Sequence, residues 1–311
     1  MRVVIIGGTR FLGISIVRGL LRRGHEVVSV HRGKTKFEIE GIEEVFLDKN
    51  DRDSFGKFLS MVKCDAVIDT ILSDDDLRFV IPIIDGRIEN YVHCGSTGVY
   101  APMKYLPARE EDECDPLHDL GGYESKLYQD QVLLKAYEES GFPATILRPS
   151  NIYGPGDIPL DIWGGRSVGF FRRLTRGEDI TVPNDGKALI QPGYVEDLGE
   201  AFSLPLEHEG AIGQVFNISS ERCVTLNTYL KIMMDIVGSS SSVDHMQIDE
   251  MIKTYPQYLG SWPAGLRFIC EHMCIDISKA KKRLGYAPKI SLEEGLDRNL
   301  DWMREEGMIS Y

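Results

Sequence analysis

Short apolar runs rich in β-branched residues alternate with segments of helical periodicity along much of the chain. The first run, Val3–Ile6, is short and ends in two glycines, which is typical of a buried parallel strand. A helix is predicted at Ile14–Arg23, because its apolar residues fall on one side, and a second strand at Glu26–Val30. The chain therefore begins with a β-strand, α-helix, β-strand unit. Further strands are predicted at Val45–Leu47, Ala66–Ile68, the segment beginning at Tyr91, Ala144–Leu147 and Val215–Ile218.

The turn between the first strand and the helix is rich in glycine. Its residues are Gly7, Gly8, Thr9, Arg10, Phe11, Leu12 and Gly13. Glycine lets the backbone turn tightly and approach a pyrophosphate, whose negative charge is favoured at the positive end of a helix. In this βαβ context the motif predicts dinucleotide binding rather than an ordinary strand–helix turn.

A cationic cluster follows the second predicted strand. An acidic residue about 20 residues past the glycines would bind the ribose 2′-hydroxyl of NAD, but His31 stands there, followed by Arg32 and Lys34. Together with Arg10 these residues suit a phosphate, so NADP is favoured over NAD as the cofactor. The alternative is a solvated basic turn.

Composition narrows the function classes. The 311 residues carry a formal net charge of −13, with 42% hydrophobic and 27% charged residues. This balance predicts a soluble globular protein and argues against a nucleic-acid or anionic-membrane partner, which would require clustered Lys and Arg. No apolar segment resembles a signal peptide or a membrane span, so the cytoplasm is the expected location.

The six cysteines are scattered and do not resemble a disulfide framework. Cys270 and Cys274 are spaced like half of a zinc site, but no second pair of ligands stands at similar spacing. We therefore predict free thiols and no metal.

Several motifs resemble one superfamily. The glycine motif, with Arg10 in place of the middle glycine, resembles the atypical short-chain dehydrogenase/reductase proteins, among them the chloroplast stem-loop-binding-like proteins. The stretches Arg148–Gly156 and Asp276–Pro288 resemble the extended members, the NAD-dependent epimerase/dehydratase family. This resemblance implies an α/β fold with a doubly wound parallel sheet (Rossmann) and a smaller C-terminal substrate-binding region. Residues 1–156 and 186–220 would form the dinucleotide-binding domain, and residues 157–185 and 221–311 the substrate-binding region.

The resemblance also implies catalytic residues. Ser96 matches the hydroxyl residue that orients the reacting group, with a turn-capping role as the alternative. Lys126 matches the lysine that holds the cofactor ribose, but Gly122 occupies the position of the usual tyrosine, four residues earlier. Tyr123 is turned about 100° from that position on a regular helix. Either an irregular first turn after Gly121 and Gly122 brings Tyr123 in as the acid/base, or the protein works with Ser96 and another group, or it performs no redox chemistry.

The remaining site residues follow from the same resemblance. Asp48 would contact adenine, and Ile190 stands where nucleotide-sugar enzymes carry an arginine that binds the diphosphate. Thr70, Pro149 and Asn151 join the predicted cofactor contacts, and Ser96, Thr97, Asn151 and Arg166 form the predicted substrate contacts.

Two functions remain open at this point. The first is an NAD(P)-dependent epimerase, dehydratase or reductase acting on a sugar or nucleotide-sugar-like small molecule. The second is an atypical dinucleotide-binding protein without redox turnover, with a regulatory or scaffolding role; RNA binding conflicts with the net charge. The resemblance further implies a homodimer formed through the helix after the fourth strand and the helix that carries Lys126.

Overall fold

The computed structural model describes residues 1–35, 38–255 and 263–311. Part of the predicted substrate-binding region, residues 256–262, lies outside the described residues. Eleven helices are labelled here: α1 Phe11–Arg22, α2 Arg52–Met61, α3 Asp74–Ile84, α4 Glu124–Ser140, α5 Val168–Thr175, α6 Val195–Ala201, α7 Leu226–Val237, α8 Ile248–Thr254, α9 Pro263–Ile269, α10 Ser278–Leu284 and α11 Leu292–Glu305.

Seven strands form a parallel sheet in the order β11-β6-β5-β4-β1-β2-β3. These strands are β1 Arg2–Ile6, β2 Glu26–His31, β3 Ile42–Phe46, β4 Ala66–Asp69, β5 Asn90–Cys94, β6 Ala144–Pro149 and β11 Val215–Ile218. The strand order reverses at β1, next to β4, and ligands bind at the carboxyl ends of strands beside such a switch point. The predicted α/β doubly wound parallel sheet is confirmed.

Three two-stranded pairs lie outside this sheet. They are built from β7 Ile152–Tyr153, β8 Ile180–Pro183, β9 Leu189–Ile190, β10 Gly193–Tyr194, β12 Val224–Thr225 and β13 Val243–Met246. The pairs are β10 with β7, β12 with β9 and β13 with β8.

Two hydrophobic clusters lie on opposite faces of the sheet, and a third is formed by residues outside the sheet. Val3 and Ile5 belong to one cluster whereas Val4 and Ile6 belong to another, because alternate residues of a strand point to opposite faces. The third cluster is centred on α5, α7 and α11 and includes Phe171, Tyr229 and Leu300, all fully buried. A buried core of its own holds this part of the chain in place.

Two differences from the predicted boundaries bear on the site. The sequence predicts the helix that carries Lys126 at Gly122–Ser140, whereas in the structure it begins at Glu124, because Gly121 and Gly122 both adopt positive φ, of 129° and 71°, which a helix does not accommodate. The third strand spans Ile42–Phe46 rather than Val45–Leu47, so Leu47 and Asp48 follow its carboxyl end. Within the described residues, no helix is long and apolar enough to cross a membrane.

Candidate dinucleotide and active site

At Gly7 and Gly13, the turn after β1 has no room for a side chain. Gly7 has a φ of 102°, and a Cβ at Gly13 would lie 2.2 Å from the Gly7 carbonyl oxygen. The start of α1 has no side-chain cap, and its first turn carries no acidic residue. Tight backbone approach and an uncapped helix start are the features that accommodate a phosphate, so the residues here fit the pyrophosphate of a dinucleotide.

A cavity of about 350 Å³ lies at the carboxyl ends of β1, β2 and β3. Asp48 lies on its wall, as expected for an adenine contact, and Thr70 donates a hydrogen bond from Oγ1 to the Gly7 carbonyl at 3.2 Å. The cavity lining includes predicted cofactor residues, namely Gly7, Thr9, Arg10, His31, Arg32 and Asp48, and residues that the sequence did not single out, namely Thr35, Lys49 and Asn50.

Four of the basic side chains that line this cavity differ in their hydrogen-bond partners and in their exposure to solvent. The Gly33 amide donates to His31 Nδ1 at 3.2 Å, so His31 carries its hydrogen on Nε2, which lies 2.8 Å from a Glu44 carboxylate oxygen. Both ring nitrogens of His31 are therefore engaged. Arg32 and Lys34 are exposed, and Arg10 Nε donates to Thr35 Oγ1 at 3.2 Å. Charge for a phosphate is thus available from Arg10, Arg32 and Lys34.

A second cavity, of about 240 Å³, opens at the carboxyl ends of β5 and β6. It brings together residues from the end of β5, the start of α4, the end of β6 and the following loop. All seven residues predicted for catalysis or contact at this end line it: Ser96, Thr97, Tyr123, Lys126, Pro149, Asn151 and Arg166. Since all the sheet strands are parallel, both cavities lie at the same edge of the sheet.

Ser96 lies two residues after the end of β5 and caps a short 3₁₀ turn. Its Oγ accepts a hydrogen bond from the Gly98 amide at 3.1 Å. This is the capping role weighed from the sequence. It leaves the hydroxyl hydrogen available for a substrate oxygen, because a serine hydroxyl both accepts and donates.

Tyr123 precedes the first residue of α4, at the irregular turn that follows the two glycines. Its ring lies against Gly98, where a Cβ would come within 2.3 Å, and stacks on Phe268 at 5.2 Å between centroids. Burial raises the pKa of Tyr123, and the positive charge of Arg166 only partly opposes this effect. The turn therefore directs Tyr123 into the cavity that contains Ser96, although no hydrogen bond joins the two side chains among the described residues.

Lys126 lies one turn into α4. Its ammonium donates to the Cys94 carbonyl at 2.8 Å and to Gln129 Oε1 at 3.0 Å. These two bonds fix the lysine at the end of β5. The positive charge that opposes the effect of burial on the pKa of Tyr123 is that of Arg166 rather than that of Lys126.

Arg166 is held by backbone carbonyls and a carboxylate. It donates to the carbonyls of Ile158 at 2.6 Å and Ile152 at 2.9 Å, and it pairs with Asp157 at 3.3 Å. Asn151 Nδ2 lies 4.0 Å from Met273 Sδ. The loop after β6 thus contacts both itself and the C-terminal segment. That segment supplies Phe268 to this cavity, and Met273 and Ile275 to a narrow neighbouring cavity that is also lined by Thr97 and Asn151.

Two buried carboxylates join the elements that carry the site residues: one links β4 to β5, and the other links α4 to β6. Asp69, at the end of β4, accepts from the Tyr91 hydroxyl at 2.6 Å and contacts His93 Nδ1 at 2.8 Å, and all three side chains are fully buried. Burial alone would raise the pKa of Asp69, but His93 and Tyr91 outweigh it and hold that pKa below its usual range. The local sequence around Asp69 does not indicate these partners, because they lie on the neighbouring strand β5.

The second buried carboxylate, Asp130 on α4, pairs with Arg148 on β6 at 2.8 Å, and both side chains are almost completely buried. Arg148 also donates to the Tyr100 hydroxyl at 2.5 Å, which donates in turn to Asn217 Oδ1 at 3.0 Å. This chain of contacts fixes the helix of Lys126 against the sheet. No group of three or more His, Cys, Asp or Glu side chains suited to a metal ion occurs in the described part of the chain.

The seven-stranded parallel sheet with helices on both faces defines a protein of the Rossmann class. The sequence model of the NAD dependent epimerase/dehydratase family matches residues 3–219, and the chain belongs to that family. Sequence relatives include the chloroplast stem-loop binding protein of 41 kDa b of Arabidopsis thaliana, which is 32% identical over 97% of this chain and 80% of its own length. Another is UDP-N-acetyl-alpha-D-glucosaminuronate decarboxylase of Bacillus cytotoxicus, 28% identical over 98% of each chain.

Solved structures share the fold. The UDP-glucose 4-epimerase of Thermotoga maritima, crystallised with UDP-glucose, aligns with a TM-score of 0.77 over 98% of this chain and 99% of its own, at 22% identity. The UDP-glucuronic acid 4-epimerase of Bacillus cereus in complex with NAD aligns with a TM-score of 0.76 over 98% and 99%, at 18% identity. At this level of identity the likeness concerns the fold alone.

Proposed function

We propose that this protein is an NAD(P)-dependent epimerase, dehydratase or reductase acting on a sugar or nucleotide-sugar-like small molecule. The observation that carries the proposal is the convergence of Ser96, Tyr123 and Lys126 on one cavity beside the dinucleotide site. A bound nicotinamide dinucleotide supplies the hydride donor or acceptor for this chemistry.

The protein's own residues divide the remaining work. Lys126, fixed at the end of β5, holds the cofactor ribose, and the Ser96 hydroxyl orients the reacting oxygen of the substrate. Tyr123 moves the proton at that oxygen. Because burial raises the pKa of Tyr123, its phenol is protonated at neutral pH and donates to a developing alkoxide when a carbonyl is reduced.

We propose NADP as the favoured cofactor. Arg10, Arg32 and Lys34 surround the end of the cavity where a 2′-phosphate would lie, and the position after β2 carries no carboxylate for a free 2′-hydroxyl. The Glu44 carboxylate nearby is engaged by His31. A nucleic-acid partner is not proposed, because a net charge of −13 opposes phosphate contacts.

The test of activity uses two substitutions with matched controls. Protein loaded with oxidised or reduced dinucleotide is mixed with a panel of nucleotide sugars, and the absorbance of the reduced nicotinamide is followed. With a substrate so found, Tyr123→Phe should reduce turnover at least tenfold, whereas Tyr128→Phe, on an exposed position of the same helix, should not. Unchanged turnover in Tyr123→Phe would reject its role.

A second candidate function is dinucleotide binding without redox turnover. Two observations favour it. No hydrogen bond joins Tyr123 to Ser96 in the described residues, and the ring of Tyr123 stacks on Phe268. In that case the wild-type protein would bind dinucleotide, yet its nicotinamide would keep its redox state with every substrate in the panel.

We also propose a homodimer. Val132 and Leu133 of α4 are buried within the monomer, so the apolar surface that this helix offers to a partner comes from Tyr128 and Tyr137, which are 52% and 39% exposed. Light scattering at micromolar concentration should give twice the chain mass. A monomer mass would refute this part of the proposal.

A further inference from the structure

Two cysteines distant in sequence meet beside the candidate site. The Sγ atoms of Cys223 and Cys274 lie 3.0 Å apart, and both side chains are half-buried. A disulfide bond is about 2.05 Å long, so the two sulfur atoms are about 1 Å from bonding distance. Both are free thiols in the structure.

Backbone pairing sets this approach. Cys223 directly precedes β12, where Val224 pairs with Ile190 of β9. On the other side, the Met273 amide donates to the Leu189 carbonyl of the same strand at 2.8 Å, and the Cys274 carbonyl accepts from the Ala108 amide at 2.8 Å. Because β9 anchors both segments, the sulfur atoms are brought together by the fold rather than by chance contact of flexible side chains.

The residues on either side of Cys274 form a wall of a narrow cavity that shares Thr97 and Asn151 with the candidate active-site cavity. Met273 and Ile275 line a narrow cavity with Thr97, Asn151 and Gln191. The Ile275 amide donates to Gln191 Oε1 at 2.8 Å. A covalent bond at Cys274 would therefore fix the position of Met273 and Ile275 in the wall of this narrow cavity.

We propose that Cys223 and Cys274 form a reversible disulfide by exchange with a small-molecule disulfide such as glutathione disulfide, and that this bond immobilises the wall formed by residues 273–275. In the first step one protein thiolate attacks a sulfur atom of the small disulfide, forms a mixed disulfide and releases one thiolate. In the second step the other protein thiolate attacks the protein sulfur and releases the second. The protein loses two electrons and two protons, and the small disulfide becomes two thiols.

The rate of this exchange should depend strongly on pH. One cysteine attacks in the first step and the other in the second, so the Cys274 thiolate takes part in either order. Burial raises the pKa of Cys274 to about 12, and its neighbour Cys223 adds to this effect. Since only the thiolate reacts, the step in which Cys274 is the nucleophile should be slow near neutral pH and should accelerate as the pH rises.

The experiment equilibrates the full-length protein with glutathione disulfide, quenches with acid and alkylates the denatured chain. Non-reducing peptide mapping should recover one linked pair, Cys223 with Cys274, and two of the six cysteines should escape alkylation. Excess reduced glutathione should restore both thiols. Cys223→Ser and Cys274→Ser should each abolish the link, with Cys223→Ala as a second variant should the serine form unfold. Cys270→Ser, the matched control, should retain the link.

Three results would overturn the proposal. They are a pair that stays reduced at equilibrium, a stable mixed disulfide that never resolves, and a link that joins Cys270 to Cys274 instead. Hydrogen exchange tests the structural consequence: amides of residues 273–276 should exchange several-fold more slowly in oxidised wild-type protein and not in Cys223→Ser treated in the same way. Equal exchange in both would show that the bond does not fix the wall.

Discussion

Removing the guanidinium groups of Arg10 and Arg32 should weaken NADP binding and leave NAD binding almost unchanged. Both side chains line the cavity at the carboxyl end of β2, and Arg10 is positioned there by its hydrogen bond to Thr35. NADP differs from NAD only in its 2′-phosphate, so a side chain that binds this phosphate discriminates between the two cofactors.

The magnitude follows from the exposure of these groups. A hydrogen bond to a charged group contributes about 1.5–3 kcal/mol when partly shielded from water, but Arg10 and Arg32 are exposed and screened. We therefore expect about 1 kcal/mol for each arginine, which is roughly fivefold in dissociation constant, and roughly 30-fold for Arg10→Ala with Arg32→Ala. The dissociation constant for NAD should change by less than about twofold, since NAD lacks the phosphate.

Calorimetric titration of both cofactors at equal ionic strength measures this selectivity. Arg18→Ala is the matched control, because Arg18 is an exposed arginine of α1 that does not line the cavity. Raising the salt concentration should weaken NADP binding to wild type more than to the double variant. A clear NAD preference in the wild-type protein, or an equal loss of both cofactors in the double variant, would refute the reasoning.

Three further predictions concern the site and its support. Asp130→Asn should lower the free energy of unfolding by about 3–5 kcal/mol in urea titration, because it leaves the buried charge of Arg148 without its partner; a loss below 1 kcal/mol would contradict this. The lowered pKa of Asp69 stabilises the fold at pH values above its unfolded pKa of about 3.9, and this stabilisation disappears as the pH falls through the lower folded pKa. Asp69→Asn should therefore reduce the dependence of the free energy of unfolding on pH in the acid range. An unaltered dependence would disprove this. Lys126→Ala should weaken dinucleotide binding, whereas the exposed Lys135→Ala should not, and equal affinities would remove Lys126 from the cofactor site.

The sheet was predictable because its signal is local. Each buried strand is a short apolar run bounded by polar or glycine residues, and the glycine turn after Val3–Ile6 has few alternatives to a phosphate-binding turn. Gly121 and Gly122 likewise indicated an irregular helix start, and the structure has one.

Contacts between distant segments could not be predicted in this way. The stacking of Tyr123 on Phe268 joins residues 145 positions apart, and nothing in either local sequence indicates it. The same is true of the His31–Glu44 contact, which depends on the register between β2 and β3. His31 was grouped with the phosphate-binding cations from its position in the sequence, whereas only the folded sheet shows that both its ring nitrogens already have partners.

The central claim is that the two cavities bind one dinucleotide, with its nicotinamide beside Ser96, Tyr123 and Lys126. A crystal structure of the protein grown with NADP tests this claim most directly. We expect the 2′-phosphate against Arg10 and Arg32 and the nicotinamide ring in the cavity lined by Ser96 and Tyr123. A nicotinamide ring directed away from that cavity, or a protein that takes up no dinucleotide, would contradict it.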